Sequence, residues 1–458
     1  MTSQRPAAQP KSVLRGHKAQ VHSAAFIRHN QRLASGDAEG FVVLWDLTIM
    51  RPRAVWRAHQ SAILGIEGWG DDKVITHGRD NRLIVWKLGE GDEAALSTAL
   101  PLDQSVSDRR QPWVLHILEV NTMNFCSFAS CPANPDLPAS SEELLVAVPN
   151  TLSTEAIESK GAQIGMVMTL SLFWLEGFLT LVAAYENGLA MVARLGRNSQ
   201  SSWEVIYKTQ CHSQPILSLD VPSNRAYFLT SGADAIIAKH PIPHPHADLL
   251  GKQKAPGTNK SKSPHIPSSS DIPESSKSHD KKPESSATSP SLSSPSPSAL
   301  SSALASEPNP PRSPEASPLP LQTAPLKTVN TKHAGQQGLR IRSDGKIFAT
   351  AGWDAKVRVY STKTLAELAV LKWHGMGCYA IAFAMVDGGG GSGEGEHANE
   401  DSKSEDGCSA PEQGVAPLSK ARTGGELSVK DRRLKQAREA HWLAAGSKDG
   451  RISLWDIY

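Results

Sequence analysis

The chain has 458 residues, too many for one ordinary core unless it is a repeat array or carries unfolded inserts. Its 48 Lys and Arg nearly balance 46 Asp and Glu, and a net charge of +2 excludes a global basic field able to hold a nucleic-acid backbone. The 31 prolines exceed what a compact domain carries, so part of the chain is expected to be disordered.

From the N-terminus, Met1 to Lys11 is polar and contains no apolar core of a secretory signal. Cys126, Cys131, Cys211, Cys378 and Cys408 are odd in number and scattered, which suggests a reduced compartment without a disulfide frame or structural zinc. Short alternating apolar runs ending in an aromatic residue then return along the chain. They are Gly40 to Asp46, Arg82 to Trp86, Lys356 to Tyr360 and Arg451 to Asp456, and each reads as a strand. A His stands 28 residues before Trp45 (His17), 27 before Trp86 (His59) and 27 before Tyr360 (His333); His212 precedes His240 by 28 in a weaker copy. The apolar stretch Gly165 to Tyr185 has Glu176 and Gly177 at its centre, so two buried strands joined by a turn fit better than a membrane span.

This spacing is the pattern of WD repeats, whose unit is one four-stranded propeller blade. An all-β, seven-bladed propeller is expected, with blades at about 14–47, 56–88, 113–170, 171–197, 203–242, 327–362 and 368–458. Propeller sequence would then occupy 1–242, 327–386 and 431–458. Two inserts expected to be disordered separate these parts: a Ser/Pro-rich one at 243–326 and a Gly/Glu-rich one at 387–430. The last blade lacks an outer strand after Asp456, and Ser12 to Arg15 is free to supply it and close the ring.

In a WD blade a His, a hydroxyl, an acid and a Trp form a hydrogen-bonded chain. Blade two has His59, Thr76, Asp80 and Trp86; blade one has His17, Ser35 and Trp45 with Glu39 at the acidic position. Blade six has His333, Thr350, Asp354 and Tyr360, whereas blade seven has His374, Asp449 and Trp455 but Ala445 in place of the hydroxyl. A catalytic triad needs one copy, so a set that recurs blade after blade is structural, and no catalytic, cofactor-binding or metal residue is assigned. No GxxxxGK[ST], HExxH or GxSxG motif is present, and the Gly388 to Gly391 run lacks the Lys and helix of a phosphate loop. Lys430 to Arg438 reads as a solvated basic helix, and Ser263, Ser289, Ser294, Ser313 and Ser317 precede prolines, as proline-directed phosphorylation requires.

Leu14-Arg15-Gly16-His17 with Leu33 to Leu47, His59 to Leu64, and above all Ile75-Thr76-His77-Gly78-Arg79-Asp80-Asn81 resemble the ASTRA-associated WD-repeat family of filamentous fungi. The resemblance covers both ends of the chain and neither insert. It implies a nuclear, non-enzymatic subunit of the ASTRA assembly, tied to chromatin regulation and to maturation of phosphatidylinositol-3-kinase-like kinases. The partners it implies are Tel/Tti co-chaperone subunits, RuvB-like AAA+ ATPases and a Tra-type pseudokinase, with neither nucleic acid nor membrane. The alternative is a substrate receptor of a cullin ubiquitin ligase, against which Trp45-Asp46-Leu47-Thr48 lacks the Arg such receptors carry after Trp-Asp.

Overall fold

The computed structural model describes residues 8–103, 109–120, 126–136, 143–149, 165–196, 202–244, 321–386 and 428–457. Apart from their ends, both expected inserts lie outside the described residues, as do the five Ser-Pro serines and the Gly388 to Gly391 run.

Each apolar run forms a strand, and the strands assemble as consecutive antiparallel meanders. Blade one is β2 (Val21–Ile27), β3 (Arg32–Asp37), β4 (Phe41–Asp46) and β5 (Arg51–Arg57). Blade two is β6 (Ile63–Trp69), β7 (Lys73–Gly78), β8 (Arg82–Lys87) and β9 (Trp113–Glu119). At the third position only β10 (Ala129–Pro132) and β11 (Leu144–Ala147) pair among the described residues. Blade four follows as β12 (Val167–Leu175), β13 (Phe178–Tyr185), β14 (Leu189–Leu195) and β15 (Trp203–Gln210). Blade five is β16 (Ile216–Asp220), β17 (Tyr227–Gly232), β18 (Ile236–Pro241) and β19 (Lys327–Asn330). Blade six is β20 (Gln336–Ile341), β21 (Ile347–Gly352), β22 (Lys356–Ser361) and β23 (Glu367–Lys372). Blade seven joins β24 (Cys378–Phe383), β25 (Trp442–Ser447) and β26 (Arg451–Asp456) to β1 (Ser12–Arg15).

The expectation of seven blades is therefore corrected: the described residues form six four-stranded blades, with a two-stranded sheet at the third position. The cause is visible in the chain: Val167 to Leu170, counted with the third unit, belongs to β12 of blade four, and Trp113 to Glu119 is the outer strand of blade two. The sequence repeat is also offset from the blade. Every unit but the fourth begins with the outer strand of the preceding sheet, so Lys327 to Asn330, expected in blade six, pairs with β18 of blade five. Ring closure is as expected, with Ser12 opposite Leu454 and Leu14 opposite Ile452. Among the described residues, no helix is long and apolar enough to cross a membrane. The Gly165 to Tyr185 stretch is the β12–β13 hairpin, and its turn residues Glu176 (φ 50°) and Gly177 (φ 76°) both adopt left-handed backbone, which suits the twist of the paired strands.

The core is a series of layers between neighbouring sheets. Leu14, Leu33, Trp45, Ile452 and Leu454 fill the seam between blades seven and one, and Trp56, Ile63, Ile84 and Trp86 lie between blades one and two. Burying a side chain of this size stabilises by about 1.5–3 kcal/mol, so each seam is a substantial joint. A glycine after β3 makes one seam possible. Gly40 (φ 86°) lies so near the His59 carbonyl that a Cβ would stand 2.0 Å from its oxygen, and Gly188 and Gly450 meet the His212 and His17 carbonyls the same way.

Among the described residues two helices sit outside the sheets, α1 (Glu90–Glu93) and α2 (Val429–Glu439). The first carries the buried Glu93, whose carboxylate accepts from Arg32 (3.2 and 3.0 Å), from Arg53 (2.9 Å) and from Arg28. A loop of blade two is thus clamped to blade one. The second helix is capped by Ser428, which accepts the Asp431 N–H, and its basic residues face solvent as the sequence suggested.

Candidate functional site

Four blades contain a buried chain of polar side chains built on one plan. In blade two the Trp86 indole N–H donates to the Thr76 hydroxyl (2.8 Å), the hydroxyl donates to His59 Nε2 (2.8 Å), and His59 Nδ1–H donates to Asp80 (2.8 Å). The three donors and acceptors can be satisfied together only with the proton on Nδ1. Burial lowers the His59 pKa, against the pull of Asp80, and keeps the ring neutral.

Blade one uses His17, Ser35 and Trp45 identically, but its acid is Asp37, 2.8 Å from His17 Nδ1, and the expected Glu39 is exposed. The four-residue spacing from Thr76 to Asp80 points to Glu39, yet the carboxylate at the end of β3 is nearer. Its second oxygen accepts the Glu39 and Phe41 N–H groups and so also organises the turn.

Blade seven keeps His374 and Trp455 and recovers the missing hydroxyl from the adjacent strand. Ser453 stands directly opposite Ala445 in the β25–β26 register, accepts the Trp455 N–H (2.8 Å) and meets His374 Nε2 (2.8 Å). Asp449 is 3.7 Å from His374, a looser end to the chain.

Blade six departs from expectation. Asp354 is occupied by Arg358, whose guanidinium donates to both carboxylate oxygens (3.1 and 2.5 Å), and His333 bonds through its backbone. Burial would raise the Asp354 pKa, but this pairing holds it below the usual carboxylate range. Gln336 takes the interior place and donates to Thr331 (2.9 Å), while Tyr360 stacks on Phe348 at 5.1 Å. Thr350 is buried beneath them.

Blade five completes a set that the sequence showed only as a weak copy. His212 bonds Asp234 (3.0 Å) and Thr230 (2.8 Å), and His240 stands where other blades have Trp. To imitate an indole, His240 must donate from Nε2 to Thr230 (2.9 Å) and accept at Nδ1; Tyr207 of β15 supplies that proton (2.8 Å). Burial lowers the His240 pKa to about 3. The ligand-type atoms of Cys211, His212 and His240 lie within 4.8 Å of one another, a spacing a metal could use. Every ring nitrogen there is already committed to a hydrogen bond, and burial pushes the Cys211 thiol up to about 11, so the set fits a polar strut and not a metal centre.

The inner strands β2, β6, β12, β16, β20 and β24 line a central channel of about 840 Å³. Glu67 in its wall accepts from Ser130 (2.8 Å), and burial raises its pKa to about 7; Asp220, also raised by burial, accepts the Ile341 N–H (2.6 Å). His77 of the distinctive His77-Gly78-Arg79-Asp80 run is buried against Phe128, the seam to the two-stranded sheet, and burial lowers its pKa to about 4.

At one end of the channel a backbone bond repeats around the ring. The N–H of Ala38 donates to Gln20, Arg79 to Ala62, Glu186 to Met166, Ala233 to Pro215, Trp353 to Gly335 and Lys448 to Gly377. Those six residues therefore hold equivalent positions in the six four-stranded blades. The sequence pattern names the residues flanking them but attaches no weight to the positions themselves.

Fold and repeated polar sets define a WD-repeat β-propeller. Residues 8–46, 325–361 and 434–456 match the family model for the WD domain, G-beta repeat. Over 98% of its length the chain is 48% identical to ASTRA-associated protein 1 of Pyricularia oryzae, covering 97% of that protein. It is 45% identical to the Verticillium alfalfae protein of the same name, over 98% of this chain and 93% of the other. The Schizosaccharomyces pombe ASTRA-associated protein 1 is 29% identical over 82% of this chain and 93% of its own length. The chain belongs to the ASTRA-associated protein 1 family. Among solved structures, a Myceliophteria thermophila Cps50 (Swd1) β-propeller domain aligns with TM-score 0.48 and 13% identity, covering 98% of this chain and 99% of that one.

Proposed function

We propose that the chain is a non-enzymatic scaffold subunit of an ASTRA-type complex, acting in the nucleus in chromatin regulation and in maturation of phosphatidylinositol-3-kinase-like kinases. The observation that carries the scaffold reading is the commitment of the buried His, hydroxyl and acid side chains to blade-internal hydrogen bonds in blades one, two and five. A general base needs an accessible nitrogen and a nucleophile beside it. Burial also raises the Cys131 thiol to about 11 and Cys378 to about 12, which leaves them protonated near neutral pH. The names of the relatives support the ASTRA assignment. The partners proposed are Tel/Tti subunits, RuvB-like ATPases and a Tra-type pseudokinase, with contacts made through the surfaces of a rigid ring.

Affinity purification of the tagged chain from nuclear extract, with mass spectrometry of what it retains, tests this. Recovery of those subunits is expected. Recovery of cullin adaptors without them would replace the reading by the ligase-receptor one; the position two residues after Asp46, where such receptors carry an Arg, is Thr48, whose N–H and Oγ1 donate to Asp46.

A further inference from the structure

The six equivalent positions at the channel mouth are chemically uneven. In ring order, blades six, seven, one and two carry Trp353, Lys448, Ala38 and Arg79, whereas blades four and five carry Glu186 and Ala233. Trp353 is 49% exposed although its indole N–H is held by Gln337 (3.0 Å), so the ring is fixed in place with a face open to solvent. Beside it Met376 is 52% exposed, and the His22 and Tyr379 rings, 5.8 Å apart, line the channel mouth. Lys18, exposed in the loop entering blade one, adds a third cation.

The acids of this arc are engaged by neighbouring groups, and Asp354, though exposed, is paired with Arg358. Asp37 is bound to His17, Asp80 to His59 and Asp354 to Arg358, and Asp449 accepts the Arg451 N–H (3.0 Å). Glu39 is exposed, and Arg57 of the outer strand bonds its carbonyl. The outcome is a fixed aromatic plate followed by a run of cations across a small residue.

We propose that this arc is a docking surface for an acidic, extended segment of a protein partner, with an apolar side chain packed on Trp353 and carboxylates meeting Lys448, Lys18 and Arg79. Charge complementarity selects an acidic occupant, and the fixed aromatic face of Trp353 beside the cations suits a segment that also carries an apolar side chain. The proposal rests on the reading that the ring works by holding proteins.

The test is an NMR titration of the 15N-labelled full chain, following the Trp353 indole N–H assigned with Trp353→Phe. The probe is a synthetic dodecapeptide of Glu and Asp around a central Leu-Phe pair, and the control carries Lys at every acid. The Trp353 signal should move with the acidic peptide and stay with the control. The double variant Arg79→Glu, Lys448→Glu should weaken binding by about tenfold or more, the loss expected when interfacial charges are reversed. No movement at about 1 mM peptide, near the weak limit of specific recognition, would overturn the proposal. So would equal shifts from the control or from a single-stranded oligonucleotide of the same length. A shift of the same size on deleting residues 388–427 without added peptide would assign the surface to the chain's own acidic insert, and would also overturn it. Because the readout uses no complex subunit, failure here leaves the co-purification result standing on its own.

Discussion

The acid of blade one decides between a spacing rule and a distance. Asp37→Ala removes the partner of His17 Nδ1 and two turn contacts, and should cost about 1–3 kcal/mol in urea unfolding. Glu39→Ala should stay within about 0.5 kcal/mol, as surface substitutions do. Equal costs would contradict the geometry. His77 and Glu67 make opposite contributions to the pH dependence. The folded-state pKa of His77 is lowered from 6.5 to about 4, so the unfolded chain binds more protons in that window and stability falls as pH drops through it. Glu67 is raised from 4.5 to about 7, so its contribution is full below 4.5 and is lost as pH rises to 7. Glu67→Gln should therefore steepen the acid loss of stability between pH 7 and 4.5, and His77→Phe should flatten it. Denaturant midpoints across that range measure both.

At the scale of elements, the β1 strand and the α1 clamp are the joints that hold distant parts of the chain together. Deleting residues 1–15 removes the partner of β26 and the buried Leu14, and leaves an open sheet edge. The truncated protein should melt lower and self-associate on size exclusion; an unchanged monomer would show that β1 is dispensable. Glu93→Gln should cost about 3–5 kcal/mol, because Arg28 would lose its carboxylate partner and Arg32 would keep only the longer contact to Asp46 (3.5 Å). Much of this level was legible beforehand. Alternation of apolar residues places the strands, and Glu176-Gly177 places the β12–β13 turn, because both signals are local. The α1 clamp was not legible, since three arginines and a glutamate converge from parts of the chain separated by up to 65 residues.

Across the whole molecule, the edges of the Ser/Pro insert are set by contacts and not by composition. Gln322 donates to the Ile206 carbonyl (3.2 Å) and accepts the Lys208 N–H (3.0 Å), which adds a short parallel bridge to the outer strand of blade four. Replacing residues 246–319 by a short Gly-Ser linker should leave the melting midpoint nearly unchanged, since loop closure grows only as the logarithm of length. Extending the replacement through Gln322 should lower it. If the shorter replacement already lowers it by more than about 5 °C, the insert packs on the ring.

The sequence by itself determined a WD propeller, its closure by Ser12 to Arg15 and the complete polar set of blade two. These follow from period, length and short-range spacing, which the linear chain carries. Only the tertiary structure decided that Asp37 serves blade one, that Ser453 substitutes across the strand for Ala445, and that Tyr207 prepares His240 to replace an indole. Each choice is made by neighbours on adjacent strands, whose register no spacing along the chain specifies. The same reason accounts for the miscounted blades: Val167 to Leu170 reads as a strand either way, and its pairing with β13 assigns it to blade four.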